Sequence, residues 1–164
     1  MRALLDSSSV INLVNAEAMD LVCRLDVEWW LPPLVVDESG PTCAAVLLDL
    51  RIKGLVHFLD DDTVNSERFL EFLDRYKLGA GETECMAIAV GTDFSICCDD
   101  RRAREAASAI IGRERVFGTI RVLRWCVENR LIECTDAKAI LRSMRAQGGF
   151  LPDTPQDFFC RGED

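Results

Sequence analysis

Histidine occurs once in these 164 residues, at His57, and no Cys-x-x-Cys pair is present. The first absence excludes a metal centre built on paired imidazoles, and the second removes the common spacing of a zinc site. Long apolar runs are missing as well: the stretch 31–36 falls far short of the ~20 residues that a membrane span requires, so no membrane partner is expected. The start, MRALLD, lacks the cationic head and cleavage site of a secretory leader, and the expectation is a cytoplasmic protein. No internal repeat and no low-complexity segment interrupts the chain.

What is present is apolar and acidic. A hydrophobic content of 49 % fills one core, which predicts a single domain over residues 1–149. A polar tail over 150–164, containing Pro152 and Pro155, is expected to be loosely held. The eight cysteines sit within apolar runs and are expected to be buried free thiols, disulfides being rare in the cytosol. Cys97 and Cys98 adjoin on a predicted strand and so point to opposite faces, which disfavours joint zinc ligation.

The net charge of −9 is unevenly spread. Residues 1–100 carry 7 basic against 19 acidic groups, or −12, whereas 101–164 carry 12 against 9, or +3. Within the second part, residues 101–124 hold seven arginines and two glutamates, a local charge of +5. A solvated helix with ordinary ion pairs accounts for such a run as well as a phosphate-binding patch does.

Along the chain, strands and helices alternate. Residues 3–5 form a short apolar strand ending at Asp6, and Ser7, Ser8 and Ser9 offer N-cap side chains for a helix through 10–14. A helical stretch at 19–25 leads to a strand at 28–34, broken by Pro32-Pro33. Pro41 opens a helix that Gly54 closes, and a strand follows at 55–59. The apolar positions Phe69, Leu70, Phe72 and Leu73 fit a helix face, and a loop at 78–81 enters another helix at Glu82. A buried strand at 94–98 stops at Asp99, then come a helix at 101–111, a short strand at 115–117, a helix after Gly118-Thr119 and a last helix at 135–147. This alternation predicts a three-layer α/β/α sandwich around a mostly parallel sheet, with ligands bound beyond the carboxyl ends of the strands.

The acids fall near those ends. Asp6, Glu38, Glu82 and the Asp99-Asp100 pair each follow or flank an apolar run. Taken singly, Asp6 or Asp99 is explained as a helix N-cap and Glu82 as a complement to its helix dipole. Taken together they conflict, because carboxylates crowded at one edge raise one another's pKa unless a cation neutralises them. All-oxygen ligands select hard ions, so Mg²⁺ or Mn²⁺ is favoured over zinc, and such ions suit hydrolysis of phosphodiesters without a nucleophilic side chain. His57, in the apolar strand VHFL, is read as a structural residue. The haloacid-dehalogenase-like phosphatases also place an aspartate after their first strand, but that chemistry needs DxD and this chain has Asp6-Ser7-Ser8.

The same residues resemble the PIN-domain family. Leu4-Leu5-Asp6-Ser7-Ser8 is similar to its opening LLD(S/T)S, and Pro32-Pro33-Leu34-Val35-Val36-Asp37-Glu38 to its second motif. Leu78-Gly79-Ala80-Gly81-Glu82-Thr83-Glu84, followed by Ala87-Ile88-Ala89, is similar to GExEAxxLA. Cys97-Cys98-Asp99-Asp100-Arg101-Arg102-Ala103-Arg104 is similar to DDxxAR, and Val116-Phe117-Gly118-Thr119 to vxGT. The resemblance implies a metal-dependent ribonuclease acting on single-stranded RNA with Mg²⁺ or Mn²⁺. Its metal-binding carboxylates would be Asp6, Glu38, Glu82 and one of Asp99 and Asp100, with Asp100 preferred because it aligns with the second acid of the commoner TxD form. Small PIN proteins of this size are very often toxins of toxin–antitoxin pairs, so the resemblance also implies a homodimer held in check by an antitoxin. Arg101, Arg102 and Arg104 are the RNA-binding candidates, their segment tracking the substrate backbone. Two features depart from the family pattern: Cys98 stands where a Thr is frequent, and Gly40-Pro41 follows Glu38, which predicts that Glu38 sits on a turn. Glu84, two residues and so about 200° from Glu82 on a helix, is expected to be structural or to support the ligands from behind.

Overall fold

Leu4 and Leu5 have no exposed surface, nor has Ala3, so β1 (Arg2–Leu5) is covered on both faces and must be an interior strand. In the computed structural model, which describes residues 1–160, β1 pairs with β2 (Glu28–Leu31) on one side and β4 (Ser95–Cys97) on the other. β3 (Val56–Phe58) lies beyond β2, and β5 (Val116–Phe117) beyond β4. The described residues thus form one five-stranded sheet, β3-β2-β1-β4-β5, with every pairing parallel. Parallel neighbours need crossover connections, and the helices supply them on both faces.

One helical layer holds α1 (Ser7–Asn15), α2 (Met19–Val22), α4 (Gly40–Ile52), α8 (Thr119–Glu128) and α9 (Cys134–Ala146), with α1 touching α4, α8 and α9. The other holds α5 (Ser66–Tyr76), α6 (Ala80–Ala89) and α7 (Arg101–Ile111), packed side by side. The short α3 (Pro33–Glu38) bridges them at the carboxyl edge of the sheet, touching α1, α4 and α6. This is the expected three-layer α/β/α sandwich. Its strand order reverses direction between β1 and β4, and the crevice outside that point is where open α/β sheets bind ligands. His57 stacks on Trp30 at 4.6 Å between ring centres, in keeping with a structural role.

Four local features differ from the sequence-based expectations. The N-cap of α1 is Asp6 and not one of the serines, because the strand ends with Asp6 still extended and its carboxylate reaches forward to Ser9 N. Glu38 is the last residue of α3 and does not sit on a turn: the chain stays helical through Ser39, and the break comes at Gly40, whose φ of +82° only glycine adopts readily. Cys134 and Cys160 are not free thiols but a disulfide, while Cys23, Cys43, Cys85, Cys97, Cys98 and Cys126 remain unpaired. The segment after Gly149 is tied down as far as it is described: Phe159 is buried, Asp153 lies 3.7 Å from Arg145, and Arg145 also donates to Pro152 O. Residues 161–164 of the expected tail lie outside the described residues. None of the described helices is long and apolar enough to cross a membrane.

Candidate metal centre

β1 leads directly into Asp6, whose N–H donates to Cys97 O of β4 at 3.1 Å and so fixes the acid over the strand reversal. Its Oδ1 accepts from Ser9 N at 2.8 Å, and Ser8 Oγ donates to the carboxylate at 2.9 Å. The residue is 0 % exposed. Burial pushes its carboxyl up to about 6, against hydrogen bonds from Cys98 and Ser9 that favour the charge, and the nearby Asp99 adds to the rise.

Glu82 enters from the first turn of α6, where the helix dipole favours an anion. Its Oε2 accepts from Gly79 N at 3.0 Å. Burial raises its pKa above the ordinary carboxylate value; the Gly79 hydrogen bond opposes this, Asp100 and Glu38 reinforce it, and Arg102 lowers it. Donor atoms of Asp6, Glu82 and Cys98 all lie within 4.8 Å of one another, the one such group among the described residues. Burial first, and the Asp6 charge second, hold the Cys98 thiol well above its usual pKa, so it meets the two acids as a neutral S–H.

Glu38 approaches from the end of α3, but its oxygens are spoken for by protein donors. Oε1 accepts from Ala80 N and Oε2 from Gly81 N, both at 3.0 Å, while Ser7 Oγ donates to Oε2 at 2.8 Å. It therefore caps α6. Glu84 returns the favour: from the second turn of α6 its Oε2 accepts from Leu34 N at 2.9 Å, capping α3, which has no cap of its own at Pro32. Glu84 is 3 % exposed, and burial pushes its carboxyl to about 7, opposed by the Leu34 hydrogen bond. Two helices are thus locked end to end by carboxylates that each borrows from the other.

Gly81 sits at that lock. A Cβ there would come within 2.6 Å of both Glu38 Oε2 and Ser7 Oγ, and 3.2 Å from Val35. Gly81→Ala is expected to push Glu38 off the start of α6 and lower stability by about 1–3 kcal/mol, read as a drop of several degrees in thermal unfolding.

The two adjacent aspartates are used differently. Asp99 turns inward: Oδ1 accepts from Thr119 N at 2.8 Å, and Oδ2 from Thr119 Oγ1 and Asn12 Nδ2, each at 2.7 Å. Its carboxylate ties the end of β4 to the middle of α1 and the start of α8. Asp100 turns outward as the N-cap of α7, with Oδ1 accepting from Ala103 N at 2.8 Å and its charge felt by Glu82. Of the five acids, the structure brings Asp6 and Glu82 together, sets Asp100 and Glu38 beside Glu82, and engages Asp99 with Asn12 and Thr119. Cys98 in the cluster is the member that its sequence did not announce, since nothing in a Cys-Cys step tells which thiol faces the acids.

The cluster opens into a groove of about 660 Å³. Glu82, Asp99 and Asp100 line its floor, Arg101, Arg102 and Arg104 one side, and residues 148–153 the other, with Phe150 fully exposed at the lip. Arg104 donates to Cys98 O at 3.2 Å and to Asp99 O at 2.9 Å, so it braces the loop that carries these acids.

A parallel α/β sheet that gathers buried carboxylates beyond the ends of its central strands, beside a basic wall, has the form of a nuclease-type fold with a candidate acidic metal-binding cluster. The family model described as a PIN domain matches residues 2–157, and the chain belongs to that family, whose members are generally metal-dependent nucleases and whose fold implies RNA as partner. No curated protein and no solved structure gives a match.

Proposed function

We infer that this PIN domain is an endoribonuclease that hydrolyses RNA phosphodiester bonds with Mg²⁺ or Mn²⁺. The observation that carries the reading is the meeting of Asp6, Glu82 and Cys98 at the strand reversal, with the Asp6 carboxylate wholly buried and short of positive charge. The donor set fits such an ion: two carboxylates supply hard oxygens, Asp100 and Glu38 stand beside Glu82, and the thiol stays protonated and so competes weakly for a softer metal. Bound there, a divalent cation would polarise the phosphodiester and favour a nucleophilic water at neutral pH.

Asp6 and Glu82 would hold the ion, with Asp100 the third carboxylate, and Glu38 would join only by leaving part of its cap on α6. Asp99 would keep the strand end in place. Arg101, Arg102 and Arg104 would grip the phosphates flanking the scissile bond. We assign the protein to the toxins of toxin–antitoxin pairs, working in the cytoplasm as a homodimer under an antitoxin; the small size of the domain and its acidic groove support that assignment.

The test is cleavage of mixed structured and single-stranded RNAs with Mn²⁺, with Mg²⁺ and with EDTA. Metal-dependent cutting that EDTA abolishes is the expected result. A second reading, a catalytically silent PIN-like module that binds RNA or protein, is favoured by the sulfur of Cys98 in the cluster. Ordinary Mn²⁺ binding without cleavage of any RNA would select it.

A further inference from the structure

Behind the basic wall of the acidic groove lies a second hollow, of about 830 Å³, between α7, the turn Arg113–Arg115 and the start of α8. It is lined by Arg101, Arg104, Arg113 and Arg121 against the single acid Glu105, four positive charges to one negative, or +3, in a chain whose net charge is −9. Such a concentration of arginine raises a positive potential over the shared hollow and so favours an anion there. The one acid does little to relieve it. Glu105 is paired with Arg101 at 2.8 Å, but both side chains are mostly exposed, and ion pairs of that kind are weak and open readily to a competing phosphate. Arg113 and Arg121 make no ion pair among the described residues, and Arg121 is held over the face of Trp125, 5.6 Å from its ring centre.

We propose that this hollow is a phosphate-backbone subsite for the RNA strand, continuing its path from the acidic groove over the ridge formed by Arg101 and Arg104. The inference rests on the ribonuclease reading above. Continuity favours RNA over an acidic protein segment: Arg101 and Arg104 line both hollows, so a strand held over the acids meets them as it leaves. The lining also says how the strand is held. Ser108, Ala109 and Val116 form the rest of the wall, with no aromatic face on which a base would stack. The subsite therefore grips phosphates and is indifferent to sequence.

The experiment is fluorescence anisotropy of a labelled homopolymeric single-stranded RNA, with EDTA present so that nothing is cut, on the wild type and on R113A/R121A. Both side chains are exposed, and thermal unfolding checks that the variant folds as the wild type does. At low salt the variant is expected to bind about tenfold more weakly, and its log–log salt slope should shrink by roughly 1.4, two phosphate contacts at ~0.7 each. A dinucleotide, too short to reach past the ridge, should show no difference between the two proteins. Equal affinity and equal slope for the long strand would overturn the subsite, as would an acidic peptide that outcompetes RNA and loses its hold in the same variant. The readout is binding, so the two readings fail separately. Metal-dependent cutting with unchanged binding in the variant removes the subsite alone, and lost binding in a protein that cuts nothing removes the nuclease alone.

Discussion

Asp6→Asn is expected to cut RNA at least about a hundredfold more slowly than the wild type and, at pH 8 in EDTA, to unfold at a higher temperature. The loss of activity follows from removing a carboxylate at the centre of the cluster. The gain in stability follows from its burial. The folded-state pKa of Asp6, about 6, lies above its ordinary value of 3.8, so the folded protein holds that proton more tightly than the unfolded chain does. The stability this contributes is complete below about pH 3.8 and is lost as pH rises through 6. At pH 8 the wild type carries a buried ionised carboxylate that costs about 2–3 kcal/mol, at 1.36 kcal/mol per pKa unit, and asparagine carries none while capping α1 equally well. Thermal unfolding followed from pH 8 down to about pH 4 reads the crossover: the gap between the two proteins should narrow below about pH 6 and close near pH 4. Added Mn²⁺ should raise the melting temperature of the wild type and leave the variant where it was. A variant less stable than the wild type at pH 8 would mean that its other hydrogen bonds outweigh the charge.

The second large effect separates two neighbours. Asp99→Ala strips partners from Asn12 Nδ2, Thr119 N and Thr119 Oγ1 at once, in a place only 5 % exposed in the folded protein. Unpaired buried donors cost about 1–3 kcal/mol each, so a loss of roughly 3–5 kcal/mol is expected, with a fall in melting temperature of ten degrees or more. Asp100→Ala removes one capping hydrogen bond, worth about 1 kcal/mol, and should leave a well-folded protein whose metal-dependent cleavage is nonetheless largely gone. The pair is best measured side by side, by urea unfolding and by RNA cleavage. The opposite pattern, a folded but inactive Asp99→Ala and an active Asp100→Ala, would exchange the roles assigned to them.

These two aspartates also show where sequence reasoning reaches and where it stops. The runs expected as strands at 3–5, 28–34, 55–59, 94–98 and 115–117 fall on the five strands, because an interior parallel strand has little choice of residue, but the second ends at Leu31 and α3 starts at Pro33, where the expected strand continued. Asp6, at the end of the first such run, stands out for the same reason. Which of Asp99 and Asp100 turns outward depends on how the chain leaves β4, and that is set by Thr119 and Asn12, 20 and 87 residues away. The turn expected at Glu38 failed by two residues: the proline rule was sound, but Gly40 absorbs the break and spares the acid. The reciprocal caps of Glu38 and Glu84 join residues 43 and 50 positions apart, and no local pattern records them. The Cys134–Cys160 disulfide was hidden likewise, since its 26-residue spacing matches no motif and its closure depends on the end of the chain folding back along α9.

The position of β1 has a consequence for how this protein is made. β1 precedes in the chain every strand it is to pair with, yet it has no complete surroundings until β4, residues 95–97, pairs along its other edge. Asp6 is held by Cys97 O and meets Glu82 and Cys98, and Glu82 in turn lines a groove whose far wall is built from residues 148–153. An unfinished chain therefore carries the acids scattered and in water, not gathered into a cluster. During synthesis the acids would come together only after residues 95–98 have emerged, and the groove beside them only after 148–153.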